Sequence, residues 1–294
     1  MRVHKGKALV AGLAALALAL TGCSSSKGGK GGGTNADTSG TKGTGMFADC
    51  SKSANDCNNG KTKKGGTLTY TLEKTIGGWN INTSNSNTFE FAEVMDGVVS
   101  GAFTATPDLK PVLNEDMMTS AEQTKADPQT LVYKVKSEAI WSDGQPVDFK
   151  DFEYAAKTSD GTSCPDCGAA STSGYDQIAS MTPSDNGKTI TVVMKKPYSD
   201  WQGMFGTLYP AHIAAQHGDL TTPKGLATSF LYLDKTQPTY SSGPYMVQAA
   251  VKDTSVTEVP NPKWYGKVKP SLDKLVFRII TEQTQEVPAL QNNE

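Results

Sequence analysis

The stretch from Gln129 to Lys157 constrains the fold of this chain more than any other. Its first part has apolar side chains at every second position, Leu131, Tyr133 and Val135, alternating with Val132, Lys134 and Lys136. This period of two is typical of a half-buried β-strand. A second short apolar run, residues 139–141, leads into the turn Ser142-Asp143-Gly144, where Gly144 is free to adopt a positive φ. The stretch therefore predicts a strand followed by a tight turn.

A helix is predicted directly after this turn. Asp148 is a suitable N-cap, and Asp151 adds negative charge to the first turn, where the helix dipole favours it. Phe149, Phe152 and Ala156 then fall on one helical face. Strand, turn and capped helix follow from the residues, but they indicate no function.

The segment from Trp141 to Phe152 reads W-S-D-G-x-P-V-x-x-x-D-F and resembles the signature of the family 5 extracellular solute-binding proteins. In that family, the receptors of peptide and nickel ABC importers, the pattern is W-x-D-G-x-P-x-T-A-x-D-[VF]. Asp148 stands where the family prefers Thr, and the two are nearly equivalent N-caps. The motif is structural, so it implies the fold and not the ligand.

Three later segments resemble the same family in the same order. They are Ser241-Ser242-Gly243-Pro244-Tyr245 (G-[TS]-G-P-[YF]), Asn261 to Tyr265 (N-P-x-Y-W, with the aromatic pair reordered) and Pro270 to Phe277 (P-x-L-D-x-[IL]-x-[FV]). The resemblance implies a mixed α+β or α/β fold, the first lobe of a type II (cluster C) periplasmic-binding-protein-like structure. Residues 67–294 would form the N-terminal part of the solute-binding domain, with a small subdomain inserted at roughly 85–205. Since the family runs past 500 residues, the second lobe is expected to be missing from this chain.

The first 22 residues predict a bacterial lipoprotein signal peptide. A basic start precedes 13 residues from Ala8 to Leu20 that are almost all apolar, too few to span a bilayer, which takes about 20. Leu20-Thr21-Gly22-Cys23 resembles the lipobox L-x-G-C, so Cys23 is the predicted lipidation site. An ordinary signal peptide that happens to contain a cysteine is the alternative.

Residues 23–66 predict a lipidated, flexible tether. Gly, Ser, Lys, Thr and Asn dominate this segment, which cannot bury enough apolar surface to offset its ordering entropy. Two acyl chains on one cysteine suffice for stable anchoring. The predicted location is the extracellular face of the cell membrane, and the composition suggests a Gram-positive, actinobacterial source.

Four further cysteines fit an exported protein, because they permit two disulfides. The local pairing is Cys50 with Cys57 and Cys164 with Cys167, although four cysteines allow three connectivities. The spacing of Cys164 and Cys167 also invites a zinc or thiol-redox site. Zinc would need two more ligands, and the three histidines offer no paired set. A disulfide that closes a small loop is the favoured interpretation, with no metal and no cofactor.

Candidate ligand contacts come from the family resemblance. In the family, the residues just after the first strand line the ligand cleft, which here points to Trp79, Asn80 and Asn82. A tryptophan and two alternating amides could stack on and hydrogen-bond to an extended ligand. Equally, Trp79 could be a core residue and the amides could cap a turn. The turn-to-strand element with Ser242 and Gly243 is expected beside the same cleft. Residues 87–99 resemble the helix that follows in the family, with apolar positions at Phe89, Phe91, Val94 and Met95.

Charge and motif content exclude several functions. Without the three basic residues of the signal peptide, 25 basic residues face 30 acidic ones, so no basic surface favours nucleic acid. The hydrolase patterns G-x-S-x-G and H-E-x-x-H are absent, which argues against an enzyme. The predicted function is therefore solute capture for an ABC permease, with an oligopeptide or another small solute as ligand. A receptor-like lipoprotein without a transport role, acting in envelope assembly or sensing, is the alternative.

Overall fold

The structure is a computed structural model that describes residues 63–106 and 108–292. The predictions for the signal peptide, for Cys23, for most of the tether and for Cys50 and Cys57 lie outside the described residues. None of the helices in the described part has an apolar run long enough to cross a lipid bilayer.

Ten strands and five helices make up the described part, together with short 3₁₀ turns. The strands are β1 (Thr67–Leu72), β2 (Phe103–Ala105), β3 (Pro111–Leu113), β4 (Met118–Ala126), β5 (Gln129–Val135), β6 (Ile178–Ser184), β7 (Thr189–Met194), β8 (Tyr245–Val251), β9 (Ser255–Pro260) and β10 (Lys274–Ile279). The helices are α1 (Phe89–Asp96), α2 (Phe149–Ser159), α3 (Ala211–Ala214), α4 (Pro223–Lys235) and α5 (Glu286–Gln291).

The strands form two four-stranded sheets and one small hairpin. The first sheet has the order β1-β10-β9-β8, in which β1 runs parallel to β10 and the other pairs are antiparallel. The second sheet, β4-β5-β7-β6, is antiparallel throughout, and β2 pairs with β3. All strands of the second sheet lie within residues 118–194, inside the predicted insertion, whose boundaries stay a prediction.

The predicted strand, turn and helix are all present. Leu131, Tyr133 and Val135 are buried, as the period of two requires. Gly144 adopts φ +92° in the turn. The side chain of Asp148 accepts the N–H of Lys150, which makes Asp148 the N-cap of α2.

Asp151 does more than the sequence predicted for a first-turn acid. Its buried carboxylate accepts hydrogen bonds from the Trp141 indole (3.1 Å), the Asp148 N–H (3.1 Å) and the Ala211 N–H (2.8 Å). It therefore joins the turn, α2 and α3. Burial raises the pKa of Asp151 to about 6, even though its three donors favour the charged form.

The helix predicted over residues 87–99 is shorter and differs at one apolar position. The structure has α1 over Phe89–Asp96, and Thr88 accepts the N–H of Phe91 as N-cap. Phe91 is buried as expected, together with Val94 and Met95. Phe89, however, is 75% exposed. The prediction that it is a core position was wrong, because Phe89 is the first helical residue and its side chain lies outside the buried stripe.

Candidate ligand cleft

An open cleft of about 420 Å³ lies beside α1. Several chain segments line it: Ile81 after β1, one face of α1 with the residues that follow it to Gly101, strand β2, Asn114 with Asp116, residues 206 and 207, and Trp264. The lining combines polar groups with apolar side chains, a mixture that suits a small organic solute.

The loop that follows β1 reaches the cleft because one buried carboxylate holds it. Asp234, at the end of α4, accepts hydrogen bonds from the hydroxyl of Ser86 (2.6 Å), the hydroxyl of Thr83 (3.4 Å) and the N–H of Asn80 (3.4 Å). A Cβ on Gly78 would lie 2.1 Å from the same carboxylate oxygen, so only glycine fits there. No local pattern points to Asp234, which lies 148 residues from Ser86 along the chain.

Trp79, Asn80 and Asn82 lie on this loop but do not themselves line the cleft. Trp79 is partly buried, packs edge-on against Phe91 (6.2 Å between ring centroids) and borders a separate cavity of about 340 Å³. Asn80 is fully buried, and its side-chain oxygen accepts the N–H of Asn82 (3.0 Å). The side chain of Asn82 donates to the carbonyl of Thr207, which does line the cleft (3.2 Å). Their role as ligand contacts stays a prediction.

Ser242 and Gly243 lie behind the cleft and support one of its walls. Both residues donate their N–H to the carbonyl of Val98, at 3.0 and 3.1 Å, and the hydroxyl of Ser242 accepts the N–H of Ser100 (3.0 Å). A Cβ on Gly243 would lie 2.3 Å from the carbonyl oxygen of Gly97. The two backbones can therefore touch only because residue 243 is glycine.

The cleft carries negative charge. Its described lining residues include Asp96 and Asp116 and no Lys, Arg or His. Behind the cleft, Glu258 of β9 is fully buried, and neither of its carboxylate oxygens has a hydrogen-bond partner. Burial, and secondarily the charge of Asp96, raises the pKa of Glu258 to about 8. This arrangement could not be predicted, because a lone Glu in a short strand gives no signal of its surroundings.

A disulfide loop braces the other side of the loop after β1. Cys164 and Cys167 are bonded, with 5.4 Å between their Cα atoms. The carbonyl of the next residue, Gly168, accepts the N–H of Ser84 (2.8 Å), and Ala170 donates its N–H to Asn82 (2.8 Å). The disulfide loop thus fixes the segment around Asn82 and Ser84, which leads into the cleft. Within the described residues, no group of three or more His, Cys, Asp or Glu side chains could hold a metal ion.

The turn motif that pointed to a family lies away from the cleft. His212 of α3 contacts Asp143 of that turn, with 2.7 Å between Nε2 and Oδ2. Ser142 also donates its N–H to the carbonyl of Ser241 (2.7 Å). These contacts join the turn to its neighbours, which is a structural role.

Comparison with known proteins gives matches along most of the chain. The family model described as bacterial extracellular solute-binding proteins, family 5 middle, matches residues 112–294. The oligopeptide-binding protein OppA of Mycobacterium tuberculosis is 30% identical over 282 residues, which is 95% of this chain and 44% of that protein. The chain therefore spans less than half the length of this curated relative.

Solved structures give the same result for the fold. The periplasmic EDTA-binding protein EppA is 41% identical, with a TM-score of 0.76, over 80% of this chain and 43% of EppA. The oligopeptide-binding protein AppA from Bacillus subtilis, solved with a nonapeptide, is 15% identical, with a TM-score of 0.66, over 79% of this chain and 44% of AppA. The second likeness concerns the fold alone.

Proposed function

Because the chain belongs to the family 5 bacterial extracellular solute-binding proteins, we propose that it is the lipid-anchored solute-binding component of an ABC importer and that its solute is an oligopeptide. The observation that carries the proposal is the open cleft beside α1, since its polar and apolar lining offers hydrogen bonds and packing without a catalytic constellation. The similarity to OppA favours oligopeptides among the possible solutes.

The proposed mechanism is capture by closure of two lobes. The cleft is open, so this chain provides one wall, and a second wall would bury the solute before delivery to a permease. An extended peptide would be held mainly through main-chain hydrogen bonds, for which Asn114, Thr104 and the backbone of residues 206–207 lie in the wall. Bridging water would let side chains of different sizes fit.

A metal chelate is the second candidate solute. The 41% identity with an EDTA-binding protein favours it. Such a complex carries negative charge, whereas the cleft presents Asp96 and Asp116. The charge of the wall therefore favours the peptide.

Ligand-induced stabilisation tests the solute. The protein is purified from the membranes of its source, and its thermal unfolding is followed with a mixed tripeptide library, with Fe(III)-EDTA and with buffer alone. A ligand at 100 times its Kd adds about 2.7 kcal/mol to the free energy of unfolding. Stabilisation by peptides supports the proposal, stabilisation by Fe(III)-EDTA alone replaces it with the chelate, and stabilisation by neither refutes both.

The intact mass of the same membrane extract tests the anchor. A diacylglycerol group on Cys23 with residues 1–22 removed is the expected species. An unmodified Cys23, or a different N-terminal residue, would contradict the lipoprotein assignment.

A further inference from the structure

We propose that the cleft recognises a positively charged group of its solute, with Asp96 as the exposed carboxylate and Glu258 as a buried carboxylate behind it. The inference rests on the proposed function, since it concerns the solute bound in the same cleft. It narrows that solute to peptides that carry a basic side chain near α1.

The position of Glu258 is the first observation. It lies on β9, between β8 and β10, where its register partners are Val247 and Leu275. It is fully buried, and neither carboxylate oxygen has a hydrogen-bond partner. Burying a polar group without a hydrogen-bond partner is unfavourable, and more so when the group is charged. An orphaned acid of this kind calls for an explanation, and a site for a cation supplies one.

The second observation is where this carboxylate points. Its Oε2 would lie 3.5 Å from a Cβ built on Gly97, so it lies beside the residue that directly follows Asp96. Asp96 is exposed and lines the cleft. The buried and the exposed carboxylate therefore flank the same end of α1, one on the protein side and one on the solvent side.

The helix end adds to the negative potential. The C-terminus of α1 carries the partial negative charge of the helix dipole, and its last turn contains no basic residue. The helix end and the two carboxylates therefore both favour a cation at this place.

A proton neutralises the buried acid while the cleft is empty. Desolvation, and then the charge of Asp96, raises the pKa of Glu258 to about 8, so Glu258 is mostly protonated at pH 7. Tyr245 lies near the same carboxylate, and its pKa is also raised, chiefly by desolvation. Desolvation likewise raises the pKa of the Asp96 carboxyl, although the residue as a whole is exposed. A bound ammonium or guanidinium group offsets the repulsion between Glu258 and Asp96. The pKa of Glu258 then falls, and binding releases a proton.

Three tripeptides that differ only in charge test the proposal: Ala-Lys-Ala, Ala-Gln-Ala and Ala-Glu-Ala. The protein from Ser24 onward, labelled with ¹⁵N, is titrated with each at millimolar concentration and low ionic strength by NMR. Two unit charges 4 Å apart interact by about 1 to 4 kcal/mol between water and a protein surface. We therefore expect Ala-Lys-Ala to bind at least about fivefold more tightly than Ala-Gln-Ala, and Ala-Glu-Ala to bind most weakly.

Variants assign this preference to the two acids. Asp96→Asn and Glu258→Gln are each expected to bring the affinity ratio between the Lys and Gln peptides towards one. Gln has the shape of the protonated Glu258, so this variant keeps the packing. Glu122→Gln, an exposed acid on β4 outside the cleft, is the matched control and should leave the ratio unchanged.

The outcomes separate this inference from the proposed function. Equal affinity for the three peptides overturns the charge preference and leaves peptide binding intact. If none of them binds, the peptide assignment fails. The cation site is then tested separately by the pKa of Glu258, read from its ¹³C carboxyl signal. Guanidinium chloride should lower this pKa more than sodium chloride at the same ionic strength. An unchanged pKa overturns the cation site.

Discussion

Asp234 is predicted to hold the loop after β1 in place, and replacing it should loosen that loop before it affects the rest of the fold. The carboxylate is buried and accepts from Ser86, Thr83 and Asn80, while Lys235 lies 2.6 Å from its other oxygen. The hydrogen-bond donors on the loop and the Asp234 carboxylate that accepts from them belong to distant parts of the chain. A change at Asp234 therefore acts on a tertiary contact and not on the intrinsic stability of α4.

The cost can be worked out from these contacts. In Asp234→Asn, the amide oxygen can still accept from Ser86, but a hydrogen bond to a charged group, worth about 1.5 to 3 kcal/mol, becomes a neutral one worth about 0.5 to 1.5. The pair with Lys235, which is half exposed, adds at most about 1 kcal/mol. We expect a loss of about 2 kcal/mol for Asp234→Asn, and about 4 kcal/mol for Asp234→Ala, which leaves the buried Ser86 hydroxyl and Asn80 N–H without an acceptor.

Urea unfolding followed by circular dichroism measures these losses, and hydrogen exchange read by mass spectrometry locates them. Exchange should rise in residues 79–86 and stay unchanged in the second sheet. Lys235→Gln is the control, with an expected loss below about 1 kcal/mol. If Asp234→Ala loses less than 1 kcal/mol, or if residues 79–86 exchange as in the wild type, the loop is held by something other than this carboxylate.

Three further changes test other parts of the structure. Asp148→Ala removes the N-cap of α2 and should lower the free energy of unfolding by about 1 kcal/mol in a urea titration. Gly243→Ala should lower the free energy of unfolding by about 3 kcal/mol or more, because its Cβ would lie 2.3 Å from the carbonyl of Gly97. Gly203→Ala is the control: there is open space around Gly203, so the loss in the same titration should stay below about 1 kcal/mol. For Asp151, the folded pKa of about 6 exceeds the unfolded value, so the protonated form stabilises the fold below pH 4 and this contribution is lost as the pH rises through 6. Between pH 4 and 8 the wild type should lose about 2 kcal/mol relative to Asp151→Asn, and parallel pH profiles of the two proteins would contradict this.

Local signals in the sequence predicted the strand, turn and helix between Gln129 and Lys157 because each is specified by near neighbours. Alternation selected the buried face of β5, and a short polar side chain before an apolar stripe selected Asp148 as the cap. The resemblance of residues 141–152 to the family 5 signature is confirmed by the family match over residues 112–294. Phe89 shows the limit of such reasoning, since hydrophobicity alone does not reveal that a residue lies at the exposed start of a helix.

The cleft could not be predicted in the same way. Asp96, Asp116 and Trp264 come from three separate segments, and no spacing relates them. Glu258 shares one face of β9 with the buried Val256, but a lone glutamate in a sequence suggests exposure, whereas the structure places Gly97, just after α1, beside its carboxylate. Only the tertiary arrangement makes it a buried acid.

This difference between motifs and cleft has a physical cause that bears on specificity. The recognisable motifs are places where backbones approach closely or where a turn must be capped, as with Gly243 against Gly97, and such places accept few residue types. A solute-facing wall makes no such demand, because water or a different solute can fill whatever shape it leaves. Ser242 and Gly243 illustrate the consequence: the motif lies next to the cleft and supports its wall, yet the acidic residues that line the cleft are Asp96 and Asp116. The solute preference of this protein should therefore follow its acidic residues and be insensitive to changes in the turn motif that leave the fold intact.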